Sequence, residues 1–359
     1  MRYVSMFAAA ILVMVALAHR PVLVAGGAAA VVSKQSALDS IARQVILPAY
    51  HDLASTCSAF AAAADALTSA PSPASLKKTQ DAWKEVLLAW RRTQPFVHGP
   101  VADLGVSGRI QFWPSRRQSV DRVLRAPRPI DDGYIQELGA NAVGLSALEI
   151  MLFDTRQDET ARLAAFTGAQ GERQRKYFLA LARELVRQTR LVENAWQGPG
   201  GFAAKFGTGG QQQLNLLVND MLGAIETGAQ GRLRLVLDKQ HEQAPLPELV
   251  EGALSGTSQQ GLLALLEGAR AMFSGGAGIG LDDYLGRLKL QTARRVDAQF
   301  QKAIDAVRAI DGPLEQVVGR RADTIKRAHD ECRTLEILIK VEVASTLGVT
   351  LTFKSTDGD

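Results

Sequence analysis

The segment Gly144-Leu145-Ser146-Ala147-Leu148-Glu149-Ile150-Met151-Leu152-Phe153 sets one carboxylate inside an apolar run. On a helix, Ser146 and Glu149 are three positions apart and share a face. Leu145, Leu148 and Leu152 recur at steps of three and four and line an adjacent face that can enter a core. A carboxylate held against such a wall is costly unless it is ion-paired, hydrogen-bonded, protonated or bound to a cation. Each alternative is a different chemistry. Arg91, Arg92, Arg109, Arg116 and Arg117 surround the least regular part of the chain, and one of them is the natural partner of Glu149 in an ion-pair lock. Without such a partner, Glu149 would ligate a cation, with Ser146 as a weak ligand or a water holder.

Other chemistry-bearing patterns are thinner. His241-Glu242 lacks the second histidine that a zinc-peptidase helix requires, and no Gly-x-Ser-x-Gly nucleophile elbow occurs. The glycine-rich stretch up to Gly210 lacks the Gly-Lys-Ser/Thr ending of a phosphate loop, which excludes nucleotide binding there. On the last helix His329, Cys332 and Glu336 share a face. They read as metal ligands or, in the preferred reading, as a core cysteine with two groups at the stripe's edge. His98, beside Gly99-Pro100, is a loop histidine expected to make a structural hydrogen bond rather than to ligate.

The chain has 359 residues, 47% hydrophobic and 22% charged, with a formal net charge of +4. That is ordinary for a globular protein and excludes disorder. There is no Lys/Arg block and no basic stretch interleaved with aromatic residues, so no nucleic-acid partner is expected. Met1-Arg2, the apolar run Tyr3 to Ala18 and the small residues up to Ala30 have the layout of a secretory signal peptide over residues 1–30. An uncleaved N-terminal anchor is the rival reading. Export makes a periplasmic, soluble mature chain the expectation. Cys57 and Cys332 either pair in that oxidising compartment or lie as buried thiols on helix stripes; the sequence leaves both open.

Almost every segment carries a helical period. Leu38 to Leu67 reads as one amphipathic helix with Pro48 marking a kink or a break between two helices, and Ala74 to Thr93 as the next. Pro95 to Pro129 reads as a folded loop region with one short helix near Ser119 to Leu124, and Asp131 or Asp132 as the cap of another. Helices follow over Glu159 to Trp196, Gln211 to Leu237, Glu248 to Phe273 with a break near Gly256, Asp282 to Ile310, and from Asp311-Gly312-Pro313 to Ser345. A short apolar tail then docks on the core. The expected fold is all-α: two packed antiparallel helical-bundle lobes within residues 31–359, with a boundary near 198–210.

Several blocks together resemble the imelysin family: Pro48-Ala49-Tyr50, Trp90-Arg91, Phe96-Val97-His98-Gly99-Pro100, Arg109-Ile110-Gln111-Phe112-Trp113-Pro114, Gly144 to Phe153, Leu347-Gly348-Val349 and Asp357-Gly358-Asp359. The resemblance implies an all-helical, two-lobed periplasmic or envelope protein associated with iron uptake, and for some members metallopeptidase activity. It also implies a motif and cleft formed by Gly144, Ser146, Glu149, Arg91, His98, Arg109 and Trp113. The family signature is Gly-x-His-x-x-Glu; here Gly144 and Glu149 match and the histidine position is Ser146. Serine is neither a strong ligand nor a proton carrier at neutral pH. The expectation is therefore a non-enzymatic component that binds a small ligand or a metal ion such as iron, with Glu149 as the metal-binding candidate. The alternatives are an imelysin-type metallopeptidase, or a scaffold that recruits an envelope protein partner.

Overall fold

The computed structural model describes residues 32–114, 116–168, 171–238, 250–317 and 322–352. The expected signal peptide, His241-Glu242 and Asp357-Gly358-Asp359 lie outside them. Among the described residues there is helix and turn and no strand.

Ser33 opens α1 (Lys34–Ile41) with a capping box closed by Ser36. A π-helical stretch, Ala42–Ile46, leads into α2 (Leu47–Ser69). Pro48 sits in the first turn of α2, where a missing N–H is tolerated. The break expected at this proline is thus a local change of hydrogen bonding inside a continuing helix. Ser72 and Ser75 form a second capping box on α3 (Pro73–Thr93).

The region read as a loop contains more helix than its sequence suggests. Single turns α4 (Pro100–Asp103) and α5 (Ser107–Ile110) precede α6 (Arg117–Arg125). Asp131 caps α7 (Asp132–Glu137), accepting the Tyr134 N–H at 2.8 Å. α8 spans Gly144–Phe153, as its apolar period requires. α9 (Glu159–Ala164) and α10 (Gly171–Trp196) follow. The glycine-rich stretch holds a further helix, α11 (Phe202–Thr208). Phe202 and Phe206 sit four apart and lock onto Trp196, with ring centroids 5.0 and 6.2 Å away.

α12 (Gly210–Gly223) continues through a π-helical stretch, Ala224–Gln230, into α13 (Gly231–Asp238). α14 (Ser258–Ser274) starts later than expected, because residues 250–257 form turns. α15 (Leu281–Arg308) is interrupted at Lys289. α16 (Leu314–Val317), α17 (Ala322–Ile337), a third π-helical stretch at Leu338–Val343 and α18 (Ala344–Leu347) complete the chain. Val349 and Leu351 of the tail pack on the core, and Asn219 holds Thr350 and Thr352.

The described residues form a compact unit whose helices gather into two packed bundles. α2, α3 and α10 make one. α14, α15 and α17, with the Ala224–Gln230 stretch, make the other. α3 lies against α14 and joins them. The hydrophobic core runs continuously through both.

Cys57 and Cys332 are both free and both buried in this core. Burial pushes each thiol up to about 12. A thiolate-selective reagent at pH 8 is expected to modify neither in the native protein and both after denaturation. Rapid reaction in the native state would contradict their packing.

Candidate functional site

α8 enters the core by way of Gly144. Its φ is +71°, and an added Cβ would lie 2.4 Å from the Arg109 and Ile110 carbonyl oxygens. Only glycine permits both that backbone region and that approach. Gly144 therefore fixes where α8 starts relative to the Arg109–Pro114 segment. Two further contacts hold the junction. The Ser146 hydroxyl donates to the Phe112 carbonyl at 2.5 Å, and the Trp83 indole N–H donates to the Leu145 carbonyl at 3.2 Å.

Glu149 is 3% exposed. Its Oε1 accepts two hydrogen bonds from Ser255, one from the backbone N–H at 3.1 Å and one from the hydroxyl at 2.7 Å. The direct partner of Glu149 is thus a serine from the turn before α14, and none of the five arginines forms an ion pair with it. Arg91 is taken by a second acid. Its Nη2 lies 2.6 Å from Glu251 Oε1, and Arg232 Nη2 lies 2.6 Å from Glu251 Oε2. Arg109 pairs with Glu184 and donates to the Ile135 and Leu138 carbonyls. Arg117 pairs with Asp154.

The two buried acids titrate in opposite directions. Burial, only partly offset by the two Ser255 hydrogen bonds, pushes Glu149 up to about 7; Glu251 adds to the rise and the Arg91 charge opposes it. Partial burial of Glu251 alone would raise it, but Arg232 and Arg91 together hold it at about 2. Arg91 drops to about 10 through burial and remains a cation at neutral pH.

A cleft of about 1220 Å³ lies alongside. Its walls include His98, Trp113, Asp220, Glu226, Arg232 and Glu251. His98 and Trp113 both line this cleft. Glu149 does not line it. The carboxylate sits one layer behind, joined to the wall through Ser255 and the turn that carries Glu251. Gly144, Ser146 and Arg109 serve the α8 junction, and Arg91 braces the wall through Glu251.

Residues 250–257 were read as helix, and so Glu251 and Ser255 were missed. Gly252 was the available signal: its φ is +82°, and a Cβ would meet Thr257 Oγ1 at 2.8 Å. Asp220 was also missed. It accepts the backbone N–H groups of Val97 and His98, each at 2.9 Å, and pairs with the His98 ring. Asp220 thus engages both the backbone and the ring of His98. An acid in the middle of α12 gave no sign of that distant partner.

Residues suited to a transition metal are not gathered at this site. Ser146 spends its proton on a carbonyl, and both oxygens of Glu251 face guanidinium groups. Among the described residues no group of three or more His, Cys, Asp or Glu is placed to hold an ion. Cys332 is buried in the core, His329 contacts Asp330, and Glu336 lies near Lys340.

Residues 46–339 match the imelysin family model (Peptidase_M75). The chain belongs to the imelysin family. A relative outside it in name, iron-regulated protein A of Synechococcus elongatus, is 22% identical over 289 residues, covering 76% of this chain and 74% of that protein. Two crystal structures share the fold. One, from Parabacteroides distasonis and assigned as an iron-regulated protein A precursor, has TM-score 0.73 at 18% identity over 88% of this chain and 95% of its own. The other, an imelysin-like protein of Psychrobacter arcticum, has TM-score 0.72 at 19% identity over 89% and 97%.

An acid raised in the folded state binds more protons there than in the unfolded chain between pH 4.5 and 7, so it lowers stability as pH rises through that window. Glu149→Gln keeps an acceptor for Ser255 and removes this loss. The variant is expected to match the wild type at pH 4.5 and to exceed it at pH 8, by on the order of 3 kcal/mol in denaturant unfolding. Glu251→Gln strands the buried Arg91 guanidinium and removes the partner of the half-buried Arg232, and should destabilise by roughly 3–5 kcal/mol at pH 7. Equal effects of the two substitutions at pH 8 would contradict the assignment.

Proposed function

We propose that this imelysin-family chain is an exported, non-enzymatic protein that holds a small ligand in the cleft beside the Glu251 turn and serves iron uptake. One observation carries the reading. The serine in the signature's histidine position is engaged with the Phe112 carbonyl, and the signature glutamate is engaged with Ser255, a layer behind an open cleft of about 1220 Å³. A carboxylate with no imidazole beside it, facing a serine in the protein interior, lacks a partner for activating a peptide bond. A cleft of this size with mixed polar and aromatic walls suits an organic ligand. The iron link rests on the name of the cyanobacterial relative, and export rests on the signal-like sequence of residues 1–30.

The reading makes a concrete demand on purified protein. Native mass spectrometry of the chain taken from iron-starved cells is expected to show one bound small molecule. Thr227 is exposed on the cleft wall, so Thr227→Trp is expected to crowd the cleft and abolish that species. Unfolded protein substrates should be cleaved no faster by the wild type than by Glu149→Gln. Cleavage that disappears with Glu149→Gln, or metal bound at one equivalent and lost with the same substitution, would replace this reading with the metallopeptidase or the cation site.

A further inference from the structure

The unusual surface lies away from the cleft, on α15. Arg287-Leu288-Lys289-Leu290-Gln291 are all exposed, in succession, across the point where Lys289 leaves helical geometry with φ −155° and ψ 80°. A regular amphipathic helix would turn at least one of two near-neighbour leucines inward. Here Leu288 is 54% and Leu290 50% exposed. Arg294 and Arg295, one turn on, are exposed as well. Arg295 is paired with Glu342. Among the described residues Arg287, Lys289 and Arg294 have no carboxylate in ion-pair reach. Glu342, which also accepts from Thr292, ties this face to the Leu338–Val343 stretch, where Val341 is 59% exposed.

We propose that this face of α15 rests on an anionic lipid bilayer. Exposed leucines between arginine and lysine are the pattern of a surface that sinks apolar side chains to the headgroup boundary while its cations meet lipid phosphate. Charge complementarity therefore selects an anionic surface over a neutral one. Arg287 also donates to the Val32 carbonyl at 2.6 Å, which holds that cation on this face. No described helix is long and apolar enough to cross a membrane, and contact along a face needs none.

The test uses the full chain carrying Leu290→Cys, labelled with a polarity-sensitive dye; Cys57 and Cys332 are buried and stay unlabelled. Vesicles of phosphatidylglycerol and phosphatidylcholine are compared with phosphatidylcholine alone. The dye is expected to move to an apolar environment on the anionic vesicles at least about tenfold more tightly than on neutral ones, with the difference removed by high salt. Lys289→Glu with Arg294→Glu is expected to abolish the anionic preference while leaving the thermal unfolding midpoint unchanged. Should that variant misfold, the salt and lipid dependence of the labelled protein alone decides. Equal response to both vesicles, a preference untouched by the charge reversal, or a dye shift without lipid that grows with protein concentration would overturn the proposal, the last in favour of a second copy of the chain.

Discussion

Two acids buried side by side, only one of them supplied with cations, set the character of this structure. Glu251 has Arg91 from α3 and Arg232 from α13, and so it stays ionised at the cleft wall. Glu149 from α8 has a serine and the edge of the Arg91 field, and so its proton is retained to about neutral pH. Both acids act on one turn, residues 250–257. That turn carries Ser255 inward to Glu149 and presents Glu251 to the cleft. A broken Glu251 pair would leave the buried Arg91 cation without compensation, whereas a neutral Glu149 leaves every hydrogen bond with Ser255 possible. The asymmetry separates a brace from a group that can change state.

The rest of the fold positions these two acids. α3 and α14 join the bundles, and Arg91 and the 250–257 turn lie at that junction. Gly144 lets α8 begin against the Arg109 and Ile110 carbonyls, which sets the depth at which Glu149 arrives. Asp220 fastens the Val97–His98 backbone to α12, so the loop that completes the cleft is held by a buried carboxylate accepting two amide protons. The π-helical stretch at Ala224–Gln230 lies along the cleft wall, where an extra residue per turn changes which side chains face the opening.

Much of this was legible in the sequence where a period or a cap stated it locally. α2, α3, α8, α10 and α15 follow apolar spacing, Asp131 caps α7, and the motif blocks placed the chain in its family. Glu149 was recognisable as a buried acid because leucines surround it. Its partner was not, because Ser255 is more than a hundred residues distant and lies where Val250, Leu254 and the apolar run after Gly256 imitate a helix. The choice between arginine and serine depended on which acid the arginines reach, and Glu251 has no local signature. Proline and glycine near α4, α5 and α11 suggested loop, but aromatic contacts such as Phe206 on Trp196 outweigh those local preferences.

The replacement of the family histidine by Ser146 acquires a physical meaning in this setting. The serine joins two backbone segments and the glutamate joins a helix to a turn, so the signature positions act here as internal ties beside an open cleft. The most direct measurement is the infrared carboxyl band of Glu149, isolated as the difference between wild type and Glu149→Gln across pH 4 to 9. A protonated carboxyl band that persists to about pH 7 is the predicted result. A fully ionised carboxylate already at pH 5 would show a cation or an arginine at Glu149 and would contradict the account.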